Sequence, residues 1–214
     1  MKKMFITLTT VFALTLSLLA QQPRFGINAG ILSSTAKITA DNQSTTSKSR
    51  IGFNAGVMVD VPLGSNFSFQ PGLSFLQKGG KEDENDGTDV IKSSISINYL
   101  ELPLNLIYKA KGKSGSFNLG AGPCLSYGLS GKAKATFNGI SASQKLNFGS
   151  STNDDLKRFE FGGNILAGYE LTNGLSFTLN YNIGFSNVAA DPQSKWKNYY
   201  GGLRIGFLLP HKKK

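Results

Sequence analysis

Cysteine, histidine and tryptophan each occur once in this 214-residue chain, at Cys124, His211 and Trp196. A lone cysteine excludes a disulfide scaffold, and one histidine leaves almost nothing for a metal cage or a nucleophile–base pair. Charge is scarce too: 17% of residues carry it, against ~25% in ordinary soluble domains. At 40% hydrophobic the chain is still apolar enough to fold. Beyond the first twenty residues no apolar run reaches the ~20 residues that a membrane-spanning helix needs. What is plentiful is glycine, at 25 residues, and phenylalanine, at 15. Serine and asparagine lie between them, a composition that fits β-structure.

The first twenty residues read as an export signal. Lys2 and Lys3 precede an apolar stretch from Met4 to Ala20, which ends in small residues before Gln21. Cleavage is expected between Ala20 and Gln21. A retained anchor is the competing reading, weakened by Thr7, Thr9, Thr10, Thr15 and Ser17. Residues 21–214 are then one domain.

Eight later segments alternate with period two. In Leu175–Phe185 the odd positions are Leu, Phe, Leu, Tyr, Ile and Phe, and the even ones Ser, Thr, Asn, Asn and Gly. The pattern recurs in 117–129, 159–171 and 203–209, and more weakly in 24–32, 51–61, 67–78 and 95–109. Pro71, Pro103 and Pro123 each remove a ladder donor, so local bulges or kinks are expected there. Short connections (62–66, 110–115, 172–174) alternate with long ones (33–50, 79–94, 130–155, 186–196). These features predict an all-β, eight-stranded antiparallel up-and-down transmembrane β-barrel with long external loops and short periplasmic turns. Asn138-Gly139, the strongest short hairpin signal, predicts a hairpin above the membrane within the third long loop. A soluble lipocalin-type barrel is the alternative, but it would hide its large apolar side chains inside. Here the small polar face suits a narrow lumen, and Tyr108, Tyr127, Tyr169 and Tyr199 fall near strand ends, where an aromatic girdle belongs.

Eight strands enclose a space that side chains fill. The alternation turns Arg24, Asp60, Glu101, Lys109, Glu160, Glu170 and Arg204 inward, together with Tyr99, Asn105 and Asn164. Unpaired charge is costly there, so a cross-lumen charge network is expected, with Arg204 and Glu101 at its centre. The opposing expectation is a sparse, watery lumen in which those charges select ions.

Several motifs resemble one family. Arg24-Phe-Gly-Ile-Asn-Ala-Gly30, Ile51-Gly-Phe-Asn-Ala-Gly-Val57, Phe69-Gln-Pro-Gly-Leu73, Asn98-Tyr-Leu-Glu-Leu-Pro-Leu104 and Gly168-Tyr-Glu-Leu171 are similar to the PorT-type bacterial outer-membrane β-barrels. The resemblance implies a bacterial outer-membrane location, no enzymatic activity and, in some relatives, service to secretion or gliding machinery. The ending after Phe207 departs from the commonest barrel terminus.

The remaining features have plain readings. Cys124 lies on the small-residue face as a buried thiol, and His211 stands in a basic tail beside lipid phosphates. Gly120-Ala-Gly122 and Lys78-Gly-Gly-Lys81 lack phosphate-loop spacing. The acidic loop Lys81–Asp89 places Ser93 where a calcium loop needs a bidentate carboxylate, so it reads as solvated. Lys37, Lys48, Arg50, Lys132, Lys134 and Lys145 are scattered through outer loops without a groove-reading element. The formal charge of +10 therefore points to an anionic leaflet and not to nucleic acid. The expected partners are outer-membrane lipids including lipopolysaccharide, the barrel assembly machinery during biogenesis, and an unidentified envelope protein. No metal or cofactor is expected. The function expected is a small non-enzymatic outer-membrane barrel, engaging a partner through its surface loops or supporting an envelope or secretion machine. A narrow pore for ions or small solutes is the alternative.

Overall fold

A computed structural model of the chain describes residues 22–41, 43–85, 90–151 and 153–210. The cleavage site at Ala20 and Gln21, His211 with its basic tail, and Asp86–Asp89 of the acidic loop lie outside the described residues. Among the described residues ten strands form a single antiparallel sheet. Eight of them are staves: β1 (Arg24–Ala40), β3 (Lys48–Pro62), β4 (Phe67–Asn85), β5 (Val90–Lys111), β6 (Gly115–Phe137), β8 (Phe159–Leu171), β9 (Leu175–Gly184) and β10 (Lys195–Leu208). Each stave pairs with the next one in chain order, and β10 returns to pair with β1 from Gly26↔Leu208 to Thr39↔Lys195. The sheet closes on itself, so its staves have no unpaired edge across the membrane. Two short strands stand outside this ring: β2 (Gln43–Thr46) pairs with the end of β1, and β7 (Ile140–Leu146) with the end of β6.

Period two dictates which side chains face the lumen. On β1, Gly26 and Leu32 point in and are buried, whereas Phe25, Ile27 and Ile31 point out and are exposed. On β5, Glu101, Asn105 and Lys109 are buried, and Leu100, Leu102, Leu104, Leu106 and Tyr108 are exposed. The same inversion, polar inside and large apolar outside, holds on β8 and β9. In water this arrangement would leave a very large contiguous apolar surface unburied; hydrocarbon is the solvent that suits it. On β5 the belt from Leu100 to Tyr108 is about 27 Å long, or some 20 Å along the normal at the usual strand tilt.

Two expectations need correcting. Several staves run well past the alternating segments read at 95–109 and 117–129: β5 has 22 residues and β6 has 23. Much of the long connections at 33–50, 79–94 and 130–155 is sheet that continues past the belt, because the backbone there still finds ladder partners. Thus β4 and β5 pair as far as Asn85↔Val90. The β6–β7 hairpin turns at Asn138 and Gly139, with φ of 46° and 87°, a left-handed pair that matches strand twist. Nor do the prolines shift register, which is constant across Pro71, Pro103 and Pro123. The expected irregularity is an interruption without a bulge: pairing lapses between Pro71↔Leu104 and Ser74↔Glu101, and between Pro103↔Cys124 and Leu106↔Ala121. Register shifts occur instead between Ser49 and Asn54 of β3, and at Leu129 of β6, opposite Asn98 and Tyr99.

Candidate functional site: the lumen and its outer mouth

The lower end of the barrel, where the short turns lie, holds a four-residue charge cluster. Arg24 begins β1, Asp60 is near the end of β3, and Lys109 and Glu170 are near the ends of β5 and β8, so the antiparallel order brings them to one level. Arg24 reaches Asp60 Oδ2 at 2.9 Å and Glu170 Oε1 at 2.5 Å. Lys109 Nζ lies 2.8 Å from Asp60 and 3.2 Å from Glu170. Two cations meet two carboxylates and each touches both partners, which is how buried charge is tolerated.

Midway up, the Asn164 amide donates to Asn105 Oδ1 at 3.1 Å. A cavity of about 50 Å³ lies beside them, lined by Asn28, Met58, Ser74, Thr178 and Arg204 among others. It reaches Gln70 and Glu170 below, and its volume is on the scale of a few waters.

A second cluster lies above. Lys78 is 0% exposed, with Nζ 3.1 Å from Glu101 Oε2 and 3.2 Å from Glu160 Oε1. It also donates to Ser126 Oγ at 3.2 Å, and it lies over the rings of Tyr99 and Tyr200 at 4.8 and 5.1 Å from their centroids. Every carboxylate oxygen of this cluster has a partner. Tyr200 donates to Glu101 Oε1 at 2.5 Å and Ser126 to Glu101 Oε2 at 2.9 Å, while Asn198 Nδ2 donates to Glu160 Oε2 at 2.8 Å. Asn198 in turn accepts the Trp196 indole N–H at 2.8 Å. Nearby, Cys124 is buried and its sulfur accepts the Asn182 amide at 2.8 Å.

The mouth above this cluster is sealed by apolar packing. Leu32, Leu76, Ile97, Tyr99 and Tyr200 from the staves pack with Leu156 and Val188 from two outer loops, and Phe148 and Trp196 lie against them. Backbone bridges Phe148↔Leu156 and Leu156↔Ala189 tie those loops together.

Six of the seven lumen residues singled out from the sequence thus sit in ion pairs, in two separate clusters: Arg24, Asp60, Lys109 and Glu170 below, Glu101 and Glu160 above. Arg204 does not. It forms no ion pair or side-chain hydrogen bond among the described residues, and its buried Nε has no partner. The expected Arg204–Glu101 centre fails because of strand stagger. Glu101 is level with Tyr200, which is four residues, or about 13 Å of strand, above Arg204. Lys78 takes that place. Its signal was present in the sequence: on β4 it shares parity with Ser68, Gln70, Gly72 and Ser74, the small polar face. The tyrosines Tyr108, Tyr127, Tyr169 and Tyr199 all lie on the outward face. The Phe67 ring meets Tyr108 at a tilt, 5.3 Å between centroids, and Phe159 meets Tyr127 edge-to-face at 5.1 Å. In the acidic loop, Lys48 Nζ donates to the Asp83 carbonyl at 2.9 Å.

The model of the outer membrane protein beta-barrel domain matches residues 19–190. The chain belongs to that family. As an outer-membrane β-barrel it is placed in the bacterial outer membrane, with its short turns on the periplasmic side and its long extensions outside. Solved barrels give a distant likeness in fold. The Yersinia pestis attachment invasion locus protein Ail is 16% identical, with 87% of this chain and 99% of that chain covered, at a TM-score of 0.39. The outer membrane protein OprG of Pseudomonas aeruginosa is 12% identical over 89% and 98% of the two chains, at 0.43. Neisserial surface protein A is 12% identical over 86% and 96%, at 0.42. No curated protein matches the sequence significantly.

Proposed function

We propose that this barrel is a closed, non-enzymatic anchor that holds its outer extensions and loops above the membrane for contact with a surface or envelope partner. The observation that carries the reading is the layered filling of the lumen: the Arg24–Asp60–Lys109–Glu170 cluster, the Lys78–Glu101–Glu160 cluster, and the apolar seal of Leu156 and Val188. A pore needs a continuous wet path, and the cavity beside Asn105 between these layers holds about 50 Å³. The same ion pairs argue against catalysis. Asp60, Glu101, Glu160 and Glu170 are all buried and bound by cations, so none of these four lumen carboxylates is held free towards a substrate. The staves and hairpins that outrun the belt give the outer side most of its polar surface. Likeness to PorT-type barrels, in the motifs at 24–30, 98–104 and 168–171, favours an envelope or secretion machine as the setting of the partner. During biogenesis the partner is the barrel assembly machinery.

Purified protein in a planar bilayer tests the closed reading. Silence is expected across the usual voltage range. Stable unitary conductance in the wild type, altered by substitution of Lys78, would overturn the anchor in favour of a narrow pore. Crosslinking in intact cells, with recovery of one envelope protein on the outer loops, tests the partner.

A further inference from the structure

The outward face of β5 changes character within one pleat. Leu100 and Leu102 are exposed hydrophobes, whereas Asn98, Ser96 and Ser94, the next residues of the same face, are polar. β4 changes likewise from Phe75 to Gln77. On β6 the extra residue Leu129 shifts the parity, so Ser130, Lys132 and Lys134 join this outward face while Gly131 and Ala133 turn inward beside Ile97 and Ile95. An amide ladder crosses the face just above the belt: Gln77 Nε2 donates to Asn98 Oδ1 at 3.1 Å, and Asn98 Nδ2 to Ser130 Oγ at 3.0 Å.

Above that ladder lysines gather, with Asp154 the acid that shares their groove. Lys132 lies directly opposite Lys145 of β7, and Lys134 is the next outward residue of β6. Like charges directly opposed on a sheet are unfavourable unless something anionic lies against them. None of these three lysines forms an ion pair among the described residues, and the nearby carboxylates are used by the backbone: Asp154 by the Ser151 N–H and Asp155 by the Asn147 N–H. Arg158 lies at the foot of the same open groove of about 870 Å³, with its guanidinium 5.8 Å from the Tyr127 ring centroid.

Height and direction identify what this groove faces. It is the upward continuation of the lipid-facing wall, not of the lumen. Lys132 is three residues above Leu129, about 10 Å along the strand and less along the normal, which is the depth of the headgroup layer. We infer that Lys132, Lys134 and Lys145 clasp the phosphate-bearing headgroup of an outer-leaflet glycolipid. Serine and asparagine side chains of the ladder meet its sugar hydroxyls, and Leu100, Leu102 and Tyr127 meet its acyl chains. This site is independent of whether the lumen conducts.

Native mass spectrometry of the detergent-solubilised protein tests it, with bisphosphorylated lipid A, its dephosphorylated counterpart and a soluble sulfated polysaccharide as three probes. The wild type should retain the bisphosphorylated lipid and release the dephosphorylated one. Lys132→Gln/Lys134→Gln/Lys145→Gln should weaken retention about tenfold or more, since each lysine near an anionic surface contributes a sizeable fraction of the attraction. A control with the same charge loss elsewhere, Lys37→Gln/Lys48→Gln/Lys195→Gln, should bind as the wild type does. All three substituted lysines are exposed, so folding is preserved, and heat-modifiable gel mobility verifies it. Equal retention of both lipids by the wild type, or equal loss in the control, overturns the site. So does a triple variant that loses only the polysaccharide, which would assign the lysines to a soluble polyanion.

Discussion

Lys78→Met removes the one cation that Glu101 and Glu160 share. The methionine keeps most of the volume, so the result measures charge and not a cavity. Lys78 is wholly buried and lies 3.1 and 3.2 Å from the two carboxylates, and breaking a buried pair by deleting one partner costs about 3–5 kcal/mol. For a barrel of this size that is a fall in Tm of roughly 6–20 °C. The assay is thermal unfolding in one detergent, read by loss of β-sheet circular dichroism. Adding Glu101→Gln and Glu160→Gln to the same chain removes the stranded charges, and the triple variant should recover most of the lost Tm. Either Glu→Gln change alone beside wild-type Lys78 should cost less than Lys78→Met. A Lys78→Met protein as stable as the wild type would refute the reasoning, and so would a triple variant no better than the single one. In either case the upper cluster would be a bystander to folding.

Other outcomes follow from particular contacts. Arg204→Met should change stability by no more than about 1 kcal/mol, since Arg204 makes no ion pair among the described residues and its Nε is unpaired; a melting curve checks this. Gly79→Ala should destabilise by roughly 1–3 kcal/mol, because φ is +153° and a Cβ would stand 1.9 Å from the Ile95 carbonyl oxygen; denaturant unfolding reads it. Leu156→Ala should loosen the outer seal and red-shift the emission of Trp196 without melting the barrel, because Leu156 packs in the cluster that Trp196 abuts. In the β9–β10 loop, hydrogen bonds from the Gln193 N–H and the Ser194 hydroxyl hold the Asp191 carboxyl below the usual carboxylate range. That local support is present above the ordinary carboxylate pKa and is lost as pH falls through the lowered value. The protection of the amides at 191–194, relative to their intrinsic exchange at each pH, should therefore be high at neutral pH and fall in acid, and Asp191→Asn should abolish the difference.

Staves and turns were legible in the sequence because a two-residue period and a turn chemistry are local properties. Leu175–Phe185 announces its two faces without reference to any other strand, and Asn138-Gly139 announces its hairpin. Inward charge was legible for the same reason at Arg24, Asp60, Glu101, Lys109, Glu160 and Glu170. Pairing between them was not. It depends on the stagger between distant strands, which no single segment encodes, and so Arg204 was set against Glu101 although they stand at different heights. Lys78 escaped because its strand was taken to end there, at the glycine pair, whereas the ladder runs on to Asn85. The parity shift at Leu129 had no local mark, and only the ladder opposite Asn98 and Tyr99 reveals that the lysines beyond it face outward. The seal of Leu156 and Val188 lay in segments whose polar composition spoke only of loops.

The seam between β1 and β10 also dictates an order of events. Its partners, from Gly26↔Leu208 to Thr39↔Lys195, are nearly the full length of the chain apart, whereas the other stave pairs join neighbours in sequence. Hairpins can therefore form one after another during assembly, but the cylinder cannot exist until the last stave is in place, and that closure carries the largest loop entropy. Until then the first and last staves present two raw edges, each able to recruit a strand from another molecule. The seam is also tightly fitted: a Cβ on Gly30 would stand 2.1 Å from the Leu203 carbonyl oxygen. A bulky side chain there would leave the hairpins intact and hold the ring open, so such a defect would show as an aggregating, protease-sensitive ribbon and not as a weakened barrel.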